Sequence, residues 1–190
     1  MNQTALLEFG LNQLRDVVSD LDASDLDTLT NCEPWTVHRL ASHALNNQLR
    51  WGGLVAGQVL VTDEATMGAV PHEGDLAVFA DDVAHRASAM WRQPGVLAAT
   101  HATPFGELPG SAIIMFPTID ALAHAWDLSV SVGRPIEFAP EAMPDITSLV
   151  DATCTDAVRD LGLIEAATHP PADATATERL MAISGRTVSR

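Results

Sequence analysis

Near the start of the chain apolar residues recur at alternating intervals of four and three, at Leu7, Leu11, Leu14, Val18 and Leu21. This spacing predicts a bundle helix from Thr4 to about Leu21 with one face in the core. Asp22 to Asp27 is a polar connection rich in Asp and Ser, suited to capping the next element. A second pattern opens at Cys32-Glu33-Pro34-Trp35-Thr36 and continues through Val37, Leu40, Ala41, Ala44 and Leu45. It predicts a helix from about Pro34 to Leu60 at most, weakened in its later turns by Gly52, Gly53 and Gly57. Those small residues also let another helix approach closely, for packing or for a dimer contact, with packing the expected use. Thr62 to Asp75 has the composition of a loop. Leu76, Phe79, Val83, Ala87 and Met90 mark a third helix that ends near Pro94-Gly95, and Thr103 to Gly110 predicts turns or a short hairpin. The fourth helix is expected from Ser111 to Val132, with Pro117 in its first turn or kinking it and Gly133 as its stop. A fifth helix from about Glu141 to Leu161 and a last one from Thr177 to Ile183, in an Ala/Thr/Pro-rich tail that could fold back over the bundle, complete an all-α pattern.

The 190 residues, 47% of them hydrophobic, are enough for one domain with a real core. The expected division is a bundle over about 4–162 and a C-terminal extension over about 163–190, within a single domain 1–190. The net charge of −15, from ten basic and twenty-five acidic residues, leaves no basic stripe for nucleic acid and disfavours an anionic membrane surface. No stretch of eighteen apolar residues and no signal-peptide start is present, which predicts a cytoplasmic protein. The two cysteines, Cys32 and Cys154, form no CxxC pair and imply neither a disulfide framework nor a thiolate metal site. Cys32 is expected to be a small apolar residue at a helix start rather than a redox or catalytic thiol.

Candidate chemistry concentrates in Asp120-Ala-Leu-Ala-His124-Ala-Trp126-Asp127. On a helix, positions 120, 124 and 127 lie within roughly 40° of one another. Their neighbours Ile119, Leu122, Ala123, Trp126 and Leu128 are apolar, so a wet outer face fits poorly and an interior polar stripe fits well. A carboxylate and an imidazole at i and i+4 can reach one metal ion. His43 shares a face with Leu40, Asn47 and Arg50 on the second helix; alone, a histidine there is more often a satisfied core residue than a ligand. His72 and His101 read as loop histidines, His85 lies off the apolar stripe of its helix, and Trp126 reads as core. Arg39 and Arg50 are the cations nearest His43 along its helix, solvated by default and otherwise suited to a substrate carboxylate.

Trp35-Thr36-Val37, Leu40 and His43, followed by Asp120, His124, Trp126-Asp127-Leu128 and Gly133-Arg134, resemble the DinB/YfiT-like superfamily. The nearest branch is the mycothiol-dependent maleylpyruvate isomerase N-terminal domain and its short actinobacterial metal-binding relatives. The ending from Arg179 through Leu180 to Gly185-Arg186 is similar to the family's closing motif. The resemblance implies a four-helix bundle, here with extra C-terminal helix or helices, carrying one divalent metal on the inner faces of two helices. The family's ligands fall on His43, Asp120 and His124. The isomerase branch has Glu where this chain has Asp120, one methylene shorter.

Two histidines and one carboxylate leave coordination positions open for water or substrate. The set accepts zinc foremost, and also nickel, iron(II) or manganese. The resemblance implies that the metal activates a low-molecular-weight thiol such as mycothiol, in an isomerase or transferase whose reactive group is a metal-bound water or thiolate. Asp127 is expected to orient an imidazole N–H or to pair with Arg134, and Asn47 to hydrogen-bond a metal-bound water. The partner would be a small-molecule thiol or electrophile, and related bundles often form homodimers. The alternative is a non-catalytic metal-binding protein in which the ion has a structural or sensing role.

Overall fold

The computed structural model describes residues 1–58, 70–160, 162 and 164–188. The expected reach of the second helix to Leu60, the loop from Thr62 to Ala69 and the fifth-helix position Leu161 lie outside these. Residues 2–134 form one compact unit, and Met1 with residues 135–190 forms another.

The first unit contains α1 (Gln3–Ser19), α2 (Val37–Val55), α3 (Leu76–Trp91), the strands β1 (Thr100–Thr103) and β2 (Gly106–Pro109), α4 (Gly110–Ile113) and α5 (Met115–Ser131). Four of these helices make the bundle: α1 packs on α3 and α5, and α2 packs on the same two. The predicted stripe of α1 is its buried face, with Leu7, Leu11, Leu14 and Val18 all in the core. Asn2 caps α1, its Oδ1 accepting the Ala5 N–H at 2.8 Å. Against α2, Gly52 faces Met90 of α3 so closely that an added Cβ would lie 2.7 Å from the Met90 methyl. Gly52 therefore serves helix packing.

The turn-rich stretch before the fourth helix is an antiparallel hairpin, with Thr100 opposite Pro109 and Thr103 opposite Gly106. The single fourth helix expected from Ser111 is two, α4 and α5, which meet at Ile114. Pro117 sits in the first turn of α5, where its missing N–H removes no intrahelical bond. Gly133 ends this segment at φ +70°, the left-handed conformation a helix stop favours.

The second unit holds α6 (Met143–Thr153), α7 (Asp156–Asp160) and α8 (Ala176–Ile183). The expected fifth helix is broken after Thr153, where the Arg159 guanidinium donates to the Cys154 carbonyl at 3.1 Å and to the Ile183 carbonyl at 2.7 Å. α8 starts with a reciprocal cap: Thr175 Oγ1 accepts the Glu178 N–H and Glu178 Oε2 accepts the Thr175 N–H. α6 packs on α8, and the Phe138 N–H donates to Thr177 Oγ1 at 2.9 Å.

Candidate metal centre

Thr36 caps α2, and the helix buries Val37, Leu40, Ala41, Ala44 and Leu45 in the bundle. That registration carries His43 to the side facing α5. On α5 nearly every side is buried, including Ile119, Ala121, Leu122, Ala125 and Leu128, so its polar residues have no outer surface to occupy. Asp120, His124 and Asp127 gather instead between the helices.

His124 Nε2 lies 3.4 Å from Asp120 Oδ1. The His43 ring stands edge-on to that of His124, with centroids 5.4 Å apart and planes at 79°. One donor atom from each of His43, Asp120 and His124 lies within 4.8 Å of the other two. Tetrahedral ligands at the usual lengths stand about 3.3 Å apart, close to the 3.4 Å between His124 and Asp120, and the donor chemistry fits a divalent ion. Trp35 packs on the His43 ring at 4.6 Å between centroids.

Gln48 fixes Asp120 from across the interface. Its Nε2 donates to Asp120 Oδ2 at 3.0 Å and to the Pro117 carbonyl at 3.2 Å. Both acceptors demand N–H groups, so the amide cannot turn over, and Gln48 Oε1 is left buried without a hydrogen-bond partner. Asn47, 9% exposed, also hydrogen-bonds Asp120. In the structure it engages the carboxylate directly, which is the place its expected water-binding role would start from.

Burial works against charge on Asp120 and on His124, yet the pair outweighs it. Desolvation raises the Asp120 carboxyl, but the facing charge and hydrogen bond of His124, the charge of His43 and the Asn47 hydrogen bond hold it below its ordinary value. Desolvation likewise lowers His124, while the charge and hydrogen bond of Asp120, and hydrogen bonds with Asp127 and Cys32, lift it well above its ordinary value. Both shifts run in the direction that favours an imidazolium facing a carboxylate.

The other ring nitrogen, His124 Nδ1, is 3.0 Å from Asp127 Oδ2. Asp127 is fully buried. Its Oδ1 accepts from Asn31 Nδ2 at 2.8 Å, and its Oδ2 also accepts from Cys32 Sγ at 3.4 Å. The loop before α2 presents both residues: Thr30 Oγ1 accepts the Cys32 N–H at 3.1 Å and donates to the Trp35 carbonyl at 2.9 Å, and the Trp35 N–H returns to the Cys32 carbonyl. Asp127 thus orients the imidazole. The alternative pairing with Arg134 is not made, because Arg134 Nη2 binds Asp25 at 2.7 Å and the Asp20 carbonyl at 3.0 Å.

Cys32 is not the apolar helix-start residue expected from sequence. It is a hydrogen-bond donor to the buried carboxylate behind His124, and Asn31 is its unexpected companion. The signal is faint in sequence, since nothing local ties Asn31 or Cys32 to a carboxylate almost a hundred residues away. The remaining histidines lie elsewhere. His72 stacks on Phe79 at 4.1 Å and is tied to α2 through its backbone by Ser42 Oγ and His38 Nε2. His101 Nε2 bonds the Val96 carbonyl, and His85 is exposed on α3. Trp126 is core, 2% exposed. Arg50 lies over the Trp51 ring at 5.6 Å.

Residues 8–129 match the family described as the mycothiol maleylpyruvate isomerase N-terminal domain. Two uncharacterized proteins of Mycobacterium tuberculosis, from strains CDC 1551 and H37Rv, are each 28% identical to this chain over 181 residues, covering 90% of it and 91% of their own length. The crystal structure of the mycothiol-dependent maleylpyruvate isomerase superposes with a TM-score of 0.62 at 18% identity, covering 80% of this chain. A histidine-to-alanine mutant of that enzyme gives 0.62 at 17%. The match spans 66% of the isomerase, and it bears out the helical-bundle fold. Among the described residues no helix is long and apolar enough to cross a membrane. With the family match running from α1 to the end of α5, the chain belongs to the mycothiol maleylpyruvate isomerase N-terminal domain family.

Proposed function

We propose that this protein is a divalent-metal-dependent isomerase or transferase that uses a low-molecular-weight thiol of the mycothiol type, in the cytoplasm. The observation that carries the reading is the convergence of His43, Asp120 and His124 donor atoms within 4.8 Å at the α2–α5 interface. Bound there, a divalent ion, zinc foremost, supplies Lewis acidity and holds a thiol deprotonated at neutral pH. His43 and His124 supply neutral nitrogen donors, and Asp120 supplies the charge that offsets the ion. Asp127 keeps the His124 Nδ1 proton, so that Nε2 is the free lone pair. Gln48 holds Asp120 Oδ2 and leaves Oδ1 toward the histidines.

A purely structural ion is the poorer reading, because α2 and α5 are already joined by Gln48 to both Pro117 and Asp120. Three protein ligands also leave a coordination position open, as a working site requires. The test uses cobalt(II)-loaded protein carrying Cys32→Ser, so that no neighbouring thiol of the chain contributes. Added mycothiol is expected to produce thiolate-to-cobalt absorption that saturates at one equivalent. No spectral change with mycothiol, in protein that has bound cobalt, would contradict the reading.

A further inference from the structure

Cys32, Asp127 and His124 form a second group of donor atoms, all within 4.8 Å of one another, with Asp127 on His124 Nδ1, the ring nitrogen opposite the one Asp120 faces. Among the described residues these are the two groups that could hold an ion, and they share one imidazole. In the second group Asp127 Oδ2 lies 3.0 Å from His124 Nδ1 and 3.4 Å from Cys32 Sγ. Ligands of a tetrahedral ion with one sulfur, one nitrogen and one oxygen stand about 3.3–3.6 Å apart, so both separations from Asp127 Oδ2 are already close to those an ion requires, and the third lies within 4.8 Å. Asn31 occupies Asp127 Oδ1 and leaves Oδ2 to the ring and the thiol. Cys32 is a free cysteine and only partly buried.

The two groups differ in softness. The first offers two nitrogens and a carboxylate, the second a sulfur in place of one nitrogen. Thiolate selects thiophilic ions such as cadmium(II), copper(I) and mercury(II), whereas imidazole and carboxylate accept borderline and harder ones. They also compete for one ring. A neutral imidazole has a single lone pair, so an ion on Nδ1 requires the proton on Nε2, where Asp120 accepts it, and an ion on Nε2 requires the proton on Nδ1, where Asp127 accepts it.

We propose that Cys32, Asp127 and His124 Nδ1 form a second ion position that takes thiophilic ions in place of, and to the exclusion of, an ion held by His43, Asp120 and His124 Nε2. Binding to metal-free protein releases the Cys32 thiol proton and the His124 Nδ1 proton to solvent and keeps the Nε2 proton, which Asp120 accepts. Where an ion already sits on Nε2, its departure leaves that nitrogen to take up a proton. A soft ion so placed withdraws His124 from the first group and displaces the ion there. The site thus responds to soft metals independently of any thiol substrate, sharing only His124 with the proposed activity.

The test is titration of cadmium(II) into metal-free protein without added thiol, followed by the ultraviolet thiolate-to-cadmium absorption. The parent is expected to bind one equivalent with that band. His43→Ala and Asp120→Asn, which remove ligands of the first group only, keep the band, the amide oxygen introduced at position 120 still accepting the Nε2 proton, as does Cys154→Ser. Cys32→Ser loses the band and binds cadmium at least about tenfold more weakly. Circular dichroism checks that each variant is folded, and Asp120→Asn decides the matter if His43→Ala is not. Cadmium bound without the band, a band lost on Asp120→Asn, or zinc and cadmium bound together in one chain would each overturn the proposal. Zinc bound through His43 alongside any of these results leaves the proposed metal-dependent activity standing, whereas failure to bind either ion defeats both.

Discussion

Gln48 Nε2 and Asp120 Oδ2 are 3.0 Å apart across the interface of α2 and α5, and this bond decides which carboxylate oxygen faces the histidines. The amide is fully buried. Replacing it by the apolar Gln48→Leu frees Asp120 to turn and leaves the Pro117 carbonyl without its donor. Zinc affinity is expected to fall about tenfold, and stability by about 1–3 kcal/mol. Isothermal titration and urea unfolding of metal-free protein measure the two effects separately.

Asp127→Asn keeps the shape of the side chain but removes the charge opposite His124 Nδ1. Its amide can present a donor to the ring, which favours the tautomer with the proton on Nε2, the nitrogen that must bind the ion. Affinity is expected to fall about 10–100-fold, with helicity unchanged. Unchanged zinc affinity would show that Asp127 does not orient the ligand.

Metal-free and metal-loaded protein are expected to respond to pH in opposite directions. In the metal-free site His124 is raised well above its ordinary 6.5, so its contribution to stability is complete below that value and is lost as pH rises through the raised one. Asp120 is held below its ordinary 3.8, so its contribution is present above that value and is lost as pH falls through the lowered one. Metal-free protein therefore melts at lower temperature as pH rises beyond neutral. An ion must displace the His124 proton, so zinc affinity and the zinc-dependent rise in melting temperature grow over the same range. Melting curves with and without zinc across pH, repeated on His124→Ala, check both slopes.

Gly133 separates folding from binding. Its φ of +70° is strained for any residue with a Cβ, although an added Cβ would meet nothing within 4 Å. Gly133→Ala is expected to cost about 1 kcal/mol while the metal content stays that of the parent. A loss of metal from this variant would mean that the end of α5 controls the site, contrary to the geometry.

Much of this arrangement is legible in sequence because it depends on periodicity. The alternation at Leu7, Leu11, Leu14 and Val18 gives the core face of α1, and the spacing of Asp120, His124 and Asp127 places three polar groups on one stripe of an otherwise buried helix. The break between α4 and α5 is less visible, since apolar residues run on through Ile113 and Ile114 and only Pro117 hints at it. Gln48 is unreadable for a different reason. Its role is set by two acceptors on another helix, and a glutamine after Asn46-Asn47 looks like any polar helix residue. Asn31 and Cys32 are the same case, their partner Asp127 being distant in sequence. Local pattern gives faces and stops; it does not give which polar group crosses an interface.

Whether His43, Asp120 and His124 jointly hold one ion is decided by elemental analysis. The protein is purified without an affinity tag and reconstituted with zinc, as the parent, His43→Ala, Asp120→Asn and His124→Ala, each verified by circular dichroism. The expected result is about one equivalent in the parent and a loss of zinc in all three folded variants. A parent that takes up no zinc, or variants that retain it undiminished, would mean that these three residues are not the ligands of an ion.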